Sequence, residues 1–162
     1  MGARTINQSI DGLIEKFNSE KIQLIWQTGK NYETINKPEF GFVSQFIEKM
    51  ELVYAAADII ISRAGAIAIT ELCIVGKPVI LVPSPNVAED HQTKNAMALV
   101  DVNAALLVKD REAKTDLWMA IETLIKDKYL AEEFALNVKK LEKPQAAEAI
   151  VDEVFKLVSY RQ

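Results

Sequence analysis

Ser62-Arg63-Ala64-Gly65-Ala66-Ile67-Ala68-Ile69-Thr70-Glu71-Leu72 is the stretch on which the fold turns. It continues Asp58-Ile59-Ile60-Ile61, so an apolar run passes through small residues into a segment whose apolar positions, Ile67, Ile69, Leu72 and Cys73, recur at helical spacing. A strand that runs through a short loop into a helix is the repeating step of a parallel α/β sheet. Such sheets bind ligands beyond the carboxyl ends of their strands. Gly65 lets a backbone approach a ligand closely, and the amides of Ala66, Ile67 and Ala68 can donate to an anion with the help of the helix dipole. Glu71 lies about one to two turns into that helix. There its carboxylate can accept two hydrogen bonds from a ribose diol while a diphosphate sits at the helix end. Gly65 as a tight turn and Glu71 as a solvated helix residue is an equally economical reading of the same spacing.

The neighbouring segments repeat the step. Residues 22–29 (IQLIWQTG), 40–46 (FGFVSQF), 58–63 (DIIISR, after Ala57), 78–83 (PVILVP) and 104–109 (AALLVK) are near-continuous apolar runs, the pattern of strands covered on both faces. Between them lie helical faces: Ile10, Leu13, Ile14 and Phe17; Met50, Val53 and Tyr54; Ala96, Ala98, Leu99 and Val100. After residue 110 the pattern is helical only, with Leu117, Ala120, Ile121, Leu124 and Ile125 on one face, then 131–141, then Ile150, Val151, Val154, Phe155 and Val158. Pro144 and Gln145 separate the last two helices, and no flexible linker or internal repeat divides the chain. Residues 1–162 are expected to form one α/β domain.

Composition bounds the function. The 162 residues are 49% hydrophobic, and 19 basic against 23 acidic side chains leave a net charge of -4, which is no footprint for nucleic acid. A lone Cys73 and a lone His91 make neither an internal disulfide nor a zinc cluster, and Cys73 on an apolar face reads as packing. No apolar run reaches the roughly 20 residues that cross a bilayer. The opening Met1-Gly2-Ala3-Arg4-Thr5-Ile6-Asn7-Gln8 lacks the apolar core of a secretory signal, so the expected compartment is the cytoplasm.

Two more loops are rich in ligand-competent groups. In Pro83-Ser84-Pro85-Asn86-Val87-Ala88-Glu89-Asp90-His91-Gln92-Thr93-Lys94-Asn95, Gln92 and Asn95 share a helix face and could read sugar hydroxyls. Asp90 reads first as a helix cap and His91 as a surface residue. In Phe46-Ile47-Glu48-Lys49-Met50, the Phe46 and Met50 side chains could flank a base while the Ile47 backbone bonds its edge, though the same pair reads alone as plain core. Arg63, at a strand end, could meet phosphate or pair with a nearby acid.

Gly2-Ala3-Arg4 with Asn7-Gln8, Phe46-Ile47-x-x-Met50, Ala56-Ala57-Asp58 leading to Ser62-Arg63-Ala64-Gly65-Ala66 and Glu71, and Asp90-His91-Gln92 with Asn95 together resemble the MurG family of N-acetylglucosaminyltransferases. The motifs run in order along essentially the whole chain, each weak alone and specific in combination. The resemblance implies the C-terminal, donor-binding half of a GT-B enzyme built of two Rossmann-like domains. It implies that the Ile47 backbone recognises uracil, that Phe46 and Met50 line the base pocket, and that Gly65, Ala66 and Ile67 lie at the diphosphate. Glu71 would hold the ribose, Gln92 and Asn95 the N-acetylglucosamine, and Arg63 is a matching position of open role. His91 falls where family members vary between amide and imidazole. No metal, no cofactor and no catalytic residue in this half are implied.

The whole enzyme of that family transfers N-acetylglucosamine from its UDP donor to the C4 hydroxyl of lipid I, with inversion, giving lipid II for peptidoglycan. Its N-terminal half binds the acceptor and meets the cytoplasmic face of the inner membrane, so this half alone is expected to be inactive. The helix at 146–161 crosses to the other half in the family. Two departures stand out: Ala68 replaces a hydroxyl residue that faces the phosphates in many relatives, and the strand and Gly-Gly-Ser loop that precede Gly-Ala-Arg there are represented here by Met1 alone. By that likeness the sheet lacks its first, central strand, leaving two neighbours with unpaired edges.

Two other readings bear comparison. An NAD-binding module calls for Gly-x-Gly-x-x-Gly and an acid at the end of the following strand, whereas the strand from 22 ends Gln27-Thr28-Gly29. A non-catalytic nucleotide-sugar-binding subunit that docks on a separate membrane partner shares every feature above, and genomic context separates the two.

Overall fold

A computed structural model describes residues 3–85 and 90–159. Asn86 to Glu89 in the second loop, Met1, Gly2, and the last residues of the expected C-terminal helix lie outside it. The chain opens with α1 (Arg4–Asp11) and α2 (Ile14–Ser19), then alternates β1 (Leu24–Gln27), β2 (Gly41–Ser44), α3 (Met50–Ala56), β3 (Ile60–Ser62), α4 (Ala66–Val75), β4 (Val79–Leu81), α5 (His91–Val100) and β5 (Leu106–Leu107). A 3-10 turn at Asp110–Glu112 leads into α6 (Ala113–Lys126), α7 (Lys128–Lys139) and α8 (Ala146–Ser159). Every strand expected from the apolar runs is present, each shortened at its ends.

All strand pairs are parallel, as the apolar runs predict: β1 with β2, and β3 with β4 and β4 with β5. The middle strand β4 shows why such runs carry no alternation. Its Ile80, followed by Val82, enters one buried cluster with α1, α2 and α6, while Val79 and Leu81 enter another with Leu72, Cys73, Ala96, Leu99 and Val138. Both faces are covered, so both must be apolar.

The sheet comes in two pieces, β1-β2 and β3-β4-β5. Among the described residues no strand pairs with the far edges of β1 and β3. Side chains bridge the pieces instead. Trp26 of β1 shares its core with Ile80 and Val82. Buried Asn7 of α1 accepts from the Trp26 indole at 3.0 Å and donates to the Thr28 carbonyl at 2.7 Å, fixing the end of β1 against α1.

Two helical faces differ from expectation. Ile67, placed on the inner face of α4, is 79% exposed. Apolar residues fall on every side of α4, so its periodicity cannot choose a face. Ile125 of α6 is likewise exposed. In α8, Ile150, Val151, Val154, Phe155, Leu157 and Val158 are all exposed. No described helix is long and apolar enough to cross a membrane.

Candidate functional site

The strand-to-helix loops carry the candidate residues, and the backbone at Gly65 decides how the first of them is read. Gly65 has φ -67° and ψ 150°, an extended conformation open to any residue, and a Cβ there would meet no atom within 4 Å. The fold therefore does not require glycine at this position, which removes the tight-turn reading. The bare backbone leaves open space in front of the first turn of α4, where no side chain caps the helix. Ala66, Ile67 and Ala68 follow at once, so their amides form an uncovered donor end suited to an anion.

Glu71 is exposed on the same helix, and its Oε2 accepts the Tyr54 hydroxyl at 3.2 Å. Partial burial, then the charge and hydrogen bond of Glu71, push the Tyr54 phenol upward. Tyr54 is a residue that sequence reading missed. Helical spacing groups it with Met50 and Val53 on one face, and a phenol there needs a polar partner, which is the available signal.

The Phe46 loop follows β2. Phe46 is 66% exposed and Met50, the first residue of α3, is half-buried, so neither is plain core. The Ser44 hydroxyl donates to the Phe46 carbonyl at 2.7 Å and shapes the turn. The Ile47 amide donates to Gln27 Oε1 at 2.8 Å, joining the ends of β1 and β2. Gln27 was also missed. A polar residue at the carboxyl end of a parallel strand was its signal.

On α5, Gln92 Oε1 accepts the Ser84 amide at 2.9 Å, and Asn95 Nδ2 donates to the Ala64 carbonyl at 3.0 Å. Each carboxamide thus ties α5 to a neighbouring loop with one end, and among the described residues no protein partner faces Gln92 Nε2 or Asn95 Oδ1. Asp90 sits at the start of α5 as expected of a cap, but it accepts the Thr93 hydroxyl at 2.6 Å and makes no cap hydrogen bond to the backbone. Arg63 takes the acid of its two readings: its Nη1 binds the Asp110 carboxylate and donates to the carbonyls of Val82 at 3.0 Å and Pro83 at 3.2 Å.

With this geometry established, likeness to known proteins identifies the domain. A family model described as the glycosyltransferase family 28 C-terminal domain matches residues 1–150. The chain belongs to that family. A family 28 relative from Flavobacterium psychrophilum, named UDP-N-acetylglucosamine--N-acetylmuramyl-(pentapeptide) pyrophosphoryl-undecaprenol N-acetylglucosamine transferase, is 49% identical over 98% of this chain and 44% of its own length. The crystal structure of MurG from Acinetobacter baumannii superposes with a TM-score of 0.81 at 26% identity, over 96% of this chain and 47% of that one. The calicheamicin glycosyltransferase CalG4, at 16% identity and a TM-score of 0.69, shares the fold over 91% of this chain and 38% of its own. The family 28 domain thus has the expected GT-B C-terminal architecture, and it spans less than half the length of the relatives named here.

Proposed function

We propose that residues 1–162 are the donor-binding domain of an inverting N-acetylglucosaminyltransferase that takes UDP-N-acetylglucosamine as donor and lipid I as acceptor. One observation carries the reading: glycine occupies a position where the fold itself would accept a side chain, directly in front of an uncapped helix end. A close-approaching anionic ligand supplies the missing reason for glycine. The name of the Flavobacterium psychrophilum relative supplies the ligand class, and the loops around Ile47, Glu71 and Gln92 supply groups for a base, a ribose and a sugar.

In this reading the Ile47 backbone reads uracil between Phe46 and Met50, the Glu71 carboxylate accepts the ribose hydroxyls, and Ala66 and Ile67 donate to the diphosphate. Gln92 Nε2 and Asn95 Oδ1 face the N-acetylglucosamine. Arg63 braces the site from behind through Asp110. When the acceptor C4 hydroxyl attacks the anomeric carbon, the bond to UDP breaks and negative charge grows on the diphosphate. Fixed amides and the α4 dipole stabilise that charge without reorganising. The acceptor site, the general base and the membrane contact belong to the other half of the enzyme, and α8, whose apolar side chains are exposed here, packs on that half in this reading.

Calorimetric titration of the chain with UDP-N-acetylglucosamine, UDP-glucose and NAD tests the reading. Saturable binding that prefers the N-acetyl sugar and weakens in Glu71→Ala is expected. Equal response to all three, or indifference to the substitution, would reject it.

A further inference from the structure

The amide assigned above to the base already has an occupant. Ile47 N–H donates to Gln27 Oε1 at 2.8 Å across 20 positions of chain. Both ends of this bond are anchored from behind. Buried Thr28, next to Gln27, donates its amide to the Ser44 carbonyl at 2.9 Å, and the Ser44 hydroxyl holds the Phe46 carbonyl next to Ile47. Gln27 itself is exposed at the rim of the β1-β2 pair, beside exposed Phe46. Its carboxamide, a carbonyl adjoining an N–H donor, is the same acceptor-donor pair that the C4 carbonyl and N3–H of uracil present.

We propose that Gln27 is an internal surrogate for the base, holding the Ile47 amide in the ligand-free chain and yielding it when a uracil edge takes its place. The inference rests on the reading of Ile47 given above. Donor binding is then an exchange of one hydrogen bond for another, so this contact contributes little net affinity. Any nucleotide that needs the amide binds only to the fraction of molecules in which Gln27 has let go. A single neutral hydrogen bond sets the size of that effect at about two- to tenfold. The surrogate has a second consequence: it keeps the amide paired and the Phe46 loop in its reading conformation when no donor is present.

The sign of the effect separates this role from ordinary support. NMR titration of the chain with uridine, which is uncharged, follows the Ile47 amide directly. Gln27→Ala is expected to tighten uridine binding by about two- to tenfold. Gln27→Glu is expected to weaken it, because a carboxylate holds the amide more strongly than a carboxamide does. Gln27→Met keeps the length of the stem without the carbonyl, and is expected to tighten binding too, even if the shorter side chain of Gln27→Ala loosens β1. Weaker binding in both Gln27→Ala and Gln27→Met would overturn the inference, making Gln27 a support or a direct base contact, as would unchanged affinity. If uridine moves the Ile47 amide in none of the proteins, the assignment of the base pocket falls with it; if it moves the amide but neither neutral variant binds more tightly, only the surrogate falls.

Discussion

The Tyr54 hydroxyl and the Glu71 carboxylate, 3.2 Å apart, join the helix that follows the Phe46 loop to the helix that follows Gly65. The pair couples the proposed base and ribose subsites through a single hydrogen bond. Tyr54→Phe keeps the ring and removes the bond, and is expected to weaken UDP binding by about 0.5–1.5 kcal/mol with little change in melting temperature. The drop should be smaller for 2′-deoxy-UDP, which uses less of Glu71. Equal loss for both nucleotides in calorimetry would detach Tyr54 from the ribose.

Gly65 and Gly41 make opposite predictions. A Cβ at Gly65 has no neighbour within 4 Å, whereas one at Gly41 would lie 2.1 Å from the Leu24 carbonyl oxygen. Gly65→Ala should therefore fold as well as the parent, gaining about 0.4–1 kcal/mol from a stiffer unfolded chain, yet bind UDP at least several-fold more weakly. Gly41→Ala should separate β1 from β2 at its first register pair and lower the melting temperature. Thermal melts with parallel titrations check both.

Asp110 holds two elements at once, pairing with Arg63 and accepting the Thr5 hydroxyl at 2.9 Å. The Asp110 and Arg63 side chains are 17% and 21% exposed, so neither is well solvated if its partner is lost. Asp110→Ala is expected to cost about 1–3 kcal/mol in chemical denaturation. A double-mutant cycle with Arg63→Met should show coupling, and additive losses would mean the pair acts as two independent groups.

Asp11 and Tyr32 give the fold a pH signature at both ends. Burial pushes the Asp11 carboxyl up, but the amides of Ile35 and Asn36 and the Tyr32 hydroxyl together outweigh it and leave its pKa lowered. A lowered carboxyl adds stability above its unfolded value, about 3.9, and loses it as pH falls through the folded one. Burial, then the hydrogen bond and charge of Asp11, raise Tyr32 to about 12. That contribution is complete below an ordinary phenol value of about 10 and disappears as pH rises toward the folded value. Stability measured against pH should lose its steep acid limb in Asp11→Asn and its alkaline limb in Tyr32→Phe.

The parallel α/β class, the order of strands and helices, and the loops that carry the candidate site were legible in the residues of this chain. The reason is local: a strand covered on both faces must be apolar throughout, as β4 is, and a helix start must expose amides wherever it falls. The resemblance in motifs extended that reading to named positions. What the linear pattern could not provide was the partner of each polar group. Gln27 meets Ile47 across 20 residues, Tyr54 meets Glu71 across 17, and Arg63 meets Asp110 across 47. Nor could it show that Gly65 stands in ordinary backbone facing empty space while Gly41 is pressed against Leu24. Periodicity reports burial, a property averaged over many neighbours, so the sequence alone determines it where apolar and polar positions separate clearly, and not along α4, where Ile67 is exposed. A hydrogen bond depends on the direction and separation of two particular atoms, and only the packing of the elements around them decides that.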